Sequence, residues 1–172
     1  MVRPFQLARF PVIHFGPGKA ELLPELTGRY GKNVIVVTGQ RSFVSSVHYG
    51  RLTDAFVRKG INFSIVSVAG EPSPGLVDET VKRFEGAEVD VVVSVGGGSA
   101  IDAGKAISAM MHKDVSVTDY LEGVGHLEHP GTKVPFIAVP TTSGTGSETT
   151  KNAVISKTGR DGFKRSLRHD NL

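Results

Sequence analysis

Two glycine-rich stretches hold the residues whose types and spacing best suit chemistry. The first is Ser94-Val95-Gly96-Gly97-Gly98-Ser99-Ala100-Ile101-Asp102. It follows a β-branched run and precedes a helical pattern. Three glycines let a backbone turn sharply and let a bulky anion come close. The first N–H groups of a helix have no partner, and the helix dipole favours negative charge there. A diphosphate is the natural guest of such a turn. Ser99 is placed to cap the helix, with Asp102 three residues on completing a capping pattern. The second stretch is Val139-Pro140-Thr141-Thr142-Ser143-Gly144-Thr145-Gly146-Ser147-Glu148-Thr149. Its hydroxyls suit phosphate or ribose oxygens.

Neither stretch fits a familiar nucleotide fingerprint. A G-x-G-x-x-G reading fails at Ile101 in the first and at Thr149 in the second. Gly104-Lys105 resembles the end of a P-loop, but Ser99 stands where its first glycine belongs and Ala106 replaces the Ser/Thr. The histidines offer no metal set. His126 and His129 have helix-like spacing but sit among Gly123, Gly125, Pro130 and Gly131, so both are read as surface residues. His112 is read as ending its helix, where the dipole favours a cation.

The elements that position the two turns follow from periodicity. Continuous apolar runs at Val34–Val37, Ile61–Val68, Val89–Val95 and Phe136–Val139 predict strands covered on both faces, as in a parallel sheet. Amphipathic stretches at Gly18–Tyr30, Val47–Lys59, Gly75–Glu85 and Ser99–Met111 predict helices between them. The small residues Ala103, Gly104 and Ala106 allow the last helix to lie close to the sheet. The fold expected is α/β, a Rossmann-like open parallel sheet with helices on both faces. Ligands of such sheets sit at the carboxyl ends of the strands, where both turns fall. Phe10–Phe15 is read as an extra edge strand. Asn152–Ser156 and Phe163–Leu167, joined by turn chemistry at 157–162, predict a C-terminal β-hairpin.

Composition narrows the classes. The chain has 172 residues, 21 of them glycine and none cysteine. With 39% hydrophobic residues it can build a core, and neither a disulfide framework nor a cysteine metal site is available. The net charge is only +3 despite a pI near 9.3. No Lys/Arg run interleaves with aromatics, so no nucleic acid is expected as partner. No apolar run reaches the roughly 20 residues a membrane span needs. The start, with Arg3 and Arg9, has no apolar signal region, so a cytoplasmic protein is expected.

The run Gly96-Gly97-Gly98-Ser99-Ala100-Ile101-Asp102-Ala103-Gly104-Lys105 resembles the GGGS-x-x-D-x-x-K signature of the iron-containing (group III) alcohol dehydrogenases. Asp119-Tyr120-Leu121-Glu122-Gly123, Pro135–Ser156 and Phe15-Gly16-Pro17-Gly18 are similar to further segments of that family. The resemblance spans nearly the whole chain. It implies an N-terminal nucleotide-binding domain, covering residues 1–172, and a C-terminal all-helical domain that this chain lacks. It also implies a divalent metal (Fe or Zn) held there by one Asp and three His, and so present only in the full-length enzyme. The reaction implied is NAD(P)-dependent interconversion of a small alcohol with an aldehyde or ketone. No catalytic residue or metal ligand is assigned within the chain, and the fragment alone is expected to be inactive. By the same resemblance, Gly96, Gly97, Gly98 and Ser99 would cradle the pyrophosphate, and Asp102 would lie on the nicotinamide side. Thr141, Thr142, Ser143 and Thr145 would meet the adenosine half and the phosphates. Lys164 would approach the nicotinamide ribose.

One departure bears on the cofactor. Many NAD-using members carry an acid after the first strand, where this chain has Gly39-Gln40-Arg41-Ser42. An acid there binds a ribose 2′-hydroxyl and repels a 2′-phosphate. Gly39 removes the repulsion, and Arg41 with Ser42 can bind the phosphate, so NADP is expected in preference to NAD. A homo-oligomer, such as a dimer, is expected, since a half without its partner domain exposes apolar surface. The rival readings are a glycerol dehydrogenase, maleylacetate reductase or dehydroquinate synthase relative, a non-catalytic nucleotide-binding module, and a simple phosphate binder.

Overall fold

Four Val- and Ile-rich runs form one parallel sheet in the computed structural model, which describes residues 10–172. They are β1 (Asn33–Gly39), β2 (Asn62–Val68), β3 (Val91–Gly96) and β4 (Phe136–Pro140), in the order β2-β1-β3-β4. Val36 pairs with Ile65 on one side and Val93 on the other, and Val93 pairs with Ile137. The central strands carry apolar runs without alternation because successive side chains enter two different cores. Val34, Val36, Val91, Val93 and Val95 pack with Leu23 and Phe56. Ile35, Val37 and Val92 pack with Val77, Ala103, Ala106 and Ile107 on the opposite face. Each such Val or Ile, fully buried, contributes about 1.5–3 kcal/mol.

The helices divide between those faces. α1 (Leu23–Gly28) and α2 (Val47–Arg58) supply Leu23 and Phe56. α3 (Pro74–Arg83) and α4 (Gly98–Met110) cover the other side. Ser73 caps α3 by accepting from Leu76 N–H at 3.2 Å, and Pro74 follows in the first turn, where its missing N–H costs nothing. The helix predicted over Gly18–Tyr30 is shorter. A 3-10 turn, Lys19–Leu22, gives way to α1 at Leu23. Pro24 explains the break, because a proline cannot continue an α-helix entered from upstream.

A hairpin of β5 (Asn152–Lys157) and β6 (Phe163–Arg168) lies over α4 and adds Ala153, Ile155 and Leu167 to its core. α4 is thus sandwiched between sheet and hairpin, and every residue from Ala100 to Met110 is buried. Gly104 permits the sheet side of that contact. A Cβ there would stand 1.8 Å from Ser94 Oγ and 2.9 Å from the Phe136 ring. The expected edge strand at Phe10–Phe15 is not formed. Among the described residues this stretch pairs with no strand, and Phe10, Val12, Ile13 and Phe15 are exposed. Pro11 removes one of its few backbone donors.

Candidate cofactor site

β1 leads to β2 on one side of the sheet, and β3 leads to β4 on the other. Their adjacent carboxyl ends therefore form the crevice in which open α/β sheets take ligands. Three loops meet along this edge. Gly39 opens the first, and its N lies 3.6 Å from where a Cβ on Gly96 would stand. Gly96 opens the second, and accepts from Thr141 N–H (2.9 Å) at the start of the third.

The two glycine turns touch directly. A Cβ on Gly97 would stand 3.0 Å from Thr142 Oγ1, and one on Gly98 would stand 3.3 Å from Thr145 Cβ and from Ser147 Oγ. Any larger residue would wedge the turns apart. The structure thus brings Gly96, Gly97, Gly98, Ser99, Thr141, Thr142, Ser143 and Thr145 to one place, with Gly39 beside them. Gln40, Arg41 and Ser42 follow as exposed residues, and Arg41 has no ion-pair partner among the described residues.

α4 begins at this point, but not as the sequence suggests. Its N-cap is Gly97, with no side-chain cap. Ser99 lies inside the first turn, and Asp102 is buried under the hairpin, so the expected Ser99–Asp102 capping pair is not made. The helix starts one residue earlier than predicted because the backbone of Gly97 takes the extended cap conformation itself. The first ladder bond runs from Ile101 N–H to Gly97 O at 3.1 Å. The N–H groups of Gly98, Ser99 and Ala100 precede it, at the positive end of the helix dipole. A diphosphate fits this cradle by charge and by the space the missing Cβ atoms leave.

Two buried charges lie about one and two turns further along. Asp102 is 8% exposed and Lys105 is 3% exposed. Burial pushes the Asp102 carboxyl up, while the Val154 N–H, Lys105, Ser147 and Lys164 pull it down. Burial pushes Lys105 down to about 8, against the attraction of Asp102. Lys105 donates to Thr150 O at 2.7 Å and Asn152 O at 2.6 Å. The signature contains Lys105, yet the sequence reading gave it no role. An Asp102–Lys105 pair, three residues apart on a helix rich in Ala and Ile, was the available signal.

Lys164 stands on β6, away from the two turns. It donates to Glu71, which also accepts from Ser156 Oγ. These residues border a cleft of about 750 Å³ at the end of β2, lined by Gly70, Pro74, Thr118, Lys157 and Phe163. The Lys164 charge also helps to lower the Asp102 carboxyl.

The histidine reading needs one correction. His126 and His112 are exposed, the latter just past the end of α4, but His129 is not a surface residue. It is 7% exposed. Its Nε2 lies 3.1 Å from Ala109 O, and its Nδ1 accepts from Gly131 N–H at 3.0 Å. The Gly- and Pro-rich loop folds back onto the end of α4 and encloses the ring, beside Tyr120 and His169. Burial holds His129 below the usual histidine range. Among the described residues no group of three or more His, Cys, Asp or Glu could hold a metal ion. No helix among them is long and apolar enough to cross a membrane.

Known proteins share this arrangement. The model of the iron-containing alcohol dehydrogenase family matches residues 11–172. Long-chain-alcohol dehydrogenase 1 of Geobacillus thermodenitrificans is 34% identical over 150 residues, which is 85% of this chain and 37% of that protein. NADH-dependent butanol dehydrogenase A of Clostridium acetobutylicum is 34% identical over 147 residues, 84% of this chain and 36% of the relative. Among solved structures, the sulfoacetaldehyde reductase of Bifidobacterium kashiwanohense in complex with NAD+ superposes with a TM-score of 0.82 at 31% identity. It covers 98% of this chain and 44% of that one. An archaeal alcohol dehydrogenase from a Red Sea brine pool gives a TM-score of 0.83 at 29% identity, covering 99% of this chain and 45% of the other. The chain thus spans well under half the length of the proteins it matches. With the family model matched over residues 11–172 and relatives 34% identical over most of its length, the chain belongs to the iron-containing alcohol dehydrogenase family.

Proposed function

We propose that residues 1–172 are the cofactor-binding domain of an oxidoreductase that interconverts an alcohol with an aldehyde or ketone. The observation that carries this reading is the contact of Gly97 and Gly98 with Thr142, Thr145 and Ser147 across the strand ends. A nicotinamide dinucleotide, when bound, supplies a carbon that accepts or gives up hydride. The chain's own residues bind and orient it. Gly96–Ser99 and the start of α4 receive the diphosphate, and Thr141, Thr142, Ser143 and Thr145 meet the adenosine half and the phosphates. Asp102 and Lys164 lie toward the nicotinamide. Among the described residues no group of three or more His, Cys, Asp or Glu could hold the metal that the family name implies; the reading that metal and substrate are held outside this domain rests on the family resemblance. On this reading the 172-residue chain binds cofactor without turnover. It works in the cytoplasm, as a homo-oligomer.

The finer proposal is NADP over NAD. Relatives named for NADH, such as the butanol dehydrogenase, support a nicotinamide cofactor and give no support to NADP. The choice rests on this chain's own loop, Gly39-Gln40-Arg41-Ser42, which has a guanidinium and no carboxylate. Calorimetric titration with NADPH and NADH tests both levels. NADPH should bind about tenfold more tightly, and Gly39→Asp should remove that advantage through like-charge repulsion. Equal binding would discard NADP, and no binding of either would discard the site.

A further inference from the structure

A lysine ammonium has three donors and no acceptor. Each donor of Lys105 meets a different oxygen: the Thr150 carbonyl at 2.7 Å, the Thr150 hydroxyl at 3.2 Å and the Asn152 carbonyl at 2.6 Å. All three lie where the second glycine turn passes into β5. A neutral amine has two N–H groups and a lone pair, so it would keep the two carbonyls only without charge assistance, with the Thr150 hydroxyl turned to donate to that lone pair. The charged form alone donates to all three oxygens.

The link runs on to the cradle. Thr150 N–H donates to Gly146 O at 3.1 Å, and Thr149 N–H donates to the same oxygen at 3.0 Å. That closed turn carries Ser147 and follows Thr145, the two residues packed over Gly98. α4 therefore bears the first turn at its N-terminus and grips the second through a side chain about two helical turns further on.

We propose that Lys105 is the positioning residue of the cradle: its ammonium sets the second turn against the first, and affinity for a nicotinamide dinucleotide follows that charge. The binding part rests on the cofactor reading above. Asp102 on the same helix and Glu148 from the second turn favour the charge, while Lys133, just before β4, opposes it. Burial outweighs them, so the charge is lost near pH 8 and not near the 10.5 of an ordinary lysine. The cradle then loosens within the range in which enzymes are handled.

NADH fluorescence titrations of the chain between about pH 6.5 and 9.5 test this, because the diphosphate of NADH stays ionised throughout that range. Affinity should fall about tenfold as pH rises through 8, the loss expected for one charge-assisted hydrogen bond. Lys105→Met should bind about tenfold more weakly at pH 7 and show no step, and Lys105→Arg, charged at every pH, should also show no step. In the cofactor-free chain the Lys105 ¹³Cε resonance should titrate, and the backbone amides of residues 145–152 should move with it. Constant NADH affinity while that carbon titrates would overturn the proposal. If NADH binds at no pH, the cofactor reading fails and the free chain decides. Amides that follow Lys105 would then support the clamp, and amides that ignore it would overturn it.

Discussion

The two turns of the proposed cradle are held by different means. The first is continuous with its surroundings. Gly96 ends β3, α4 starts at Gly98, and Ser94 Oγ donates across the bend to Ala100 O at 3.1 Å. The strand, the helix and the hydroxyl bond that frame it lie within a few residues of it. The second runs from Thr141 to Lys151 between β4 and β5, and most of its side chains are exposed. Its anchors come from elsewhere, from Gly96 at one end and Lys105 at the other. Ordering each loop residue costs about 1–2 kcal/mol of backbone entropy, so a few well-placed bonds decide whether such a turn is set or loose. A rigid anion-binding backbone can be written locally. The exposed turn draws one of its anchors from a distant side chain.

The sharpest way to break the comparison is to unseat the helix that serves both turns. Gly104→Ala places a methyl against Ser94 Oγ, the group that braces the first turn, and against the Phe136 ring. α4 must then lift from the sheet. Unfolding in urea should show a loss of about 3 kcal/mol, the upper end for overpacking in a tight core. A loss below about 1 kcal/mol would mean that the helix–sheet contact adapts and is not what fixes the first turn.

A pH scan separates the two supports. Alkali acts on Lys105, at the second turn. Acid acts at the opposite end of α4, on His129. That ring accepts from Gly131 N–H and faces Ala109 O, and Lys113 and His169 add repulsion to its protonated form. Its folded pKa lies below the unfolded value near 6.5, so the unfolded chain binds the proton more readily. The stabilisation is complete above 6.5 and is lost progressively as pH falls through the folded value. The melting temperature should therefore drop between about pH 7 and 5, and His129→Gln should show a shallower drop from a lower start. An equal slope in both proteins would assign the acid sensitivity to other groups.

The same contrast between local and remote determinants explains what the sequence revealed. The four strands were legible because Val34–Val37, Val91–Val95 and their neighbours are apolar on both faces, and only a two-sided sheet buries that pattern. The two turns were legible because glycines at strand ends have few other uses. The hairpin followed from turn residues at 157–162. Pro24 was visible as a residue, but the leucines around it suggested one helix through it. His129 and Lys105 were not legible as supports, because their partners lie 20 and 45 residues away and only the folded chain brings them together. Phe10–Phe15 has the composition of a strand and no neighbour to pair with among the described residues.

Ser99 provides the smallest and most discriminating effect. In sequence it stands three residues before Asp102, which reads as a capping box, and an N-cap serine replaced by alanine costs about 1 kcal/mol. In the fold the cap position belongs to Gly97, and Asp102 faces the hairpin and not the Ser99 N–H. Ser99→Ala should therefore change folding stability by less than about 0.5 kcal/mol, since alanine is a good helix former within the first turn. Dinucleotide binding should respond more than stability does, because on the cofactor reading proposed above Ser99 lies in the first turn of α4, where the diphosphate is received. A stability loss near 1 kcal/mol with unchanged binding would restore the capping role. The start of α4 would then be held by a side chain, as the second turn is, and the contrast between the two turns would narrow to the distance their anchors must reach.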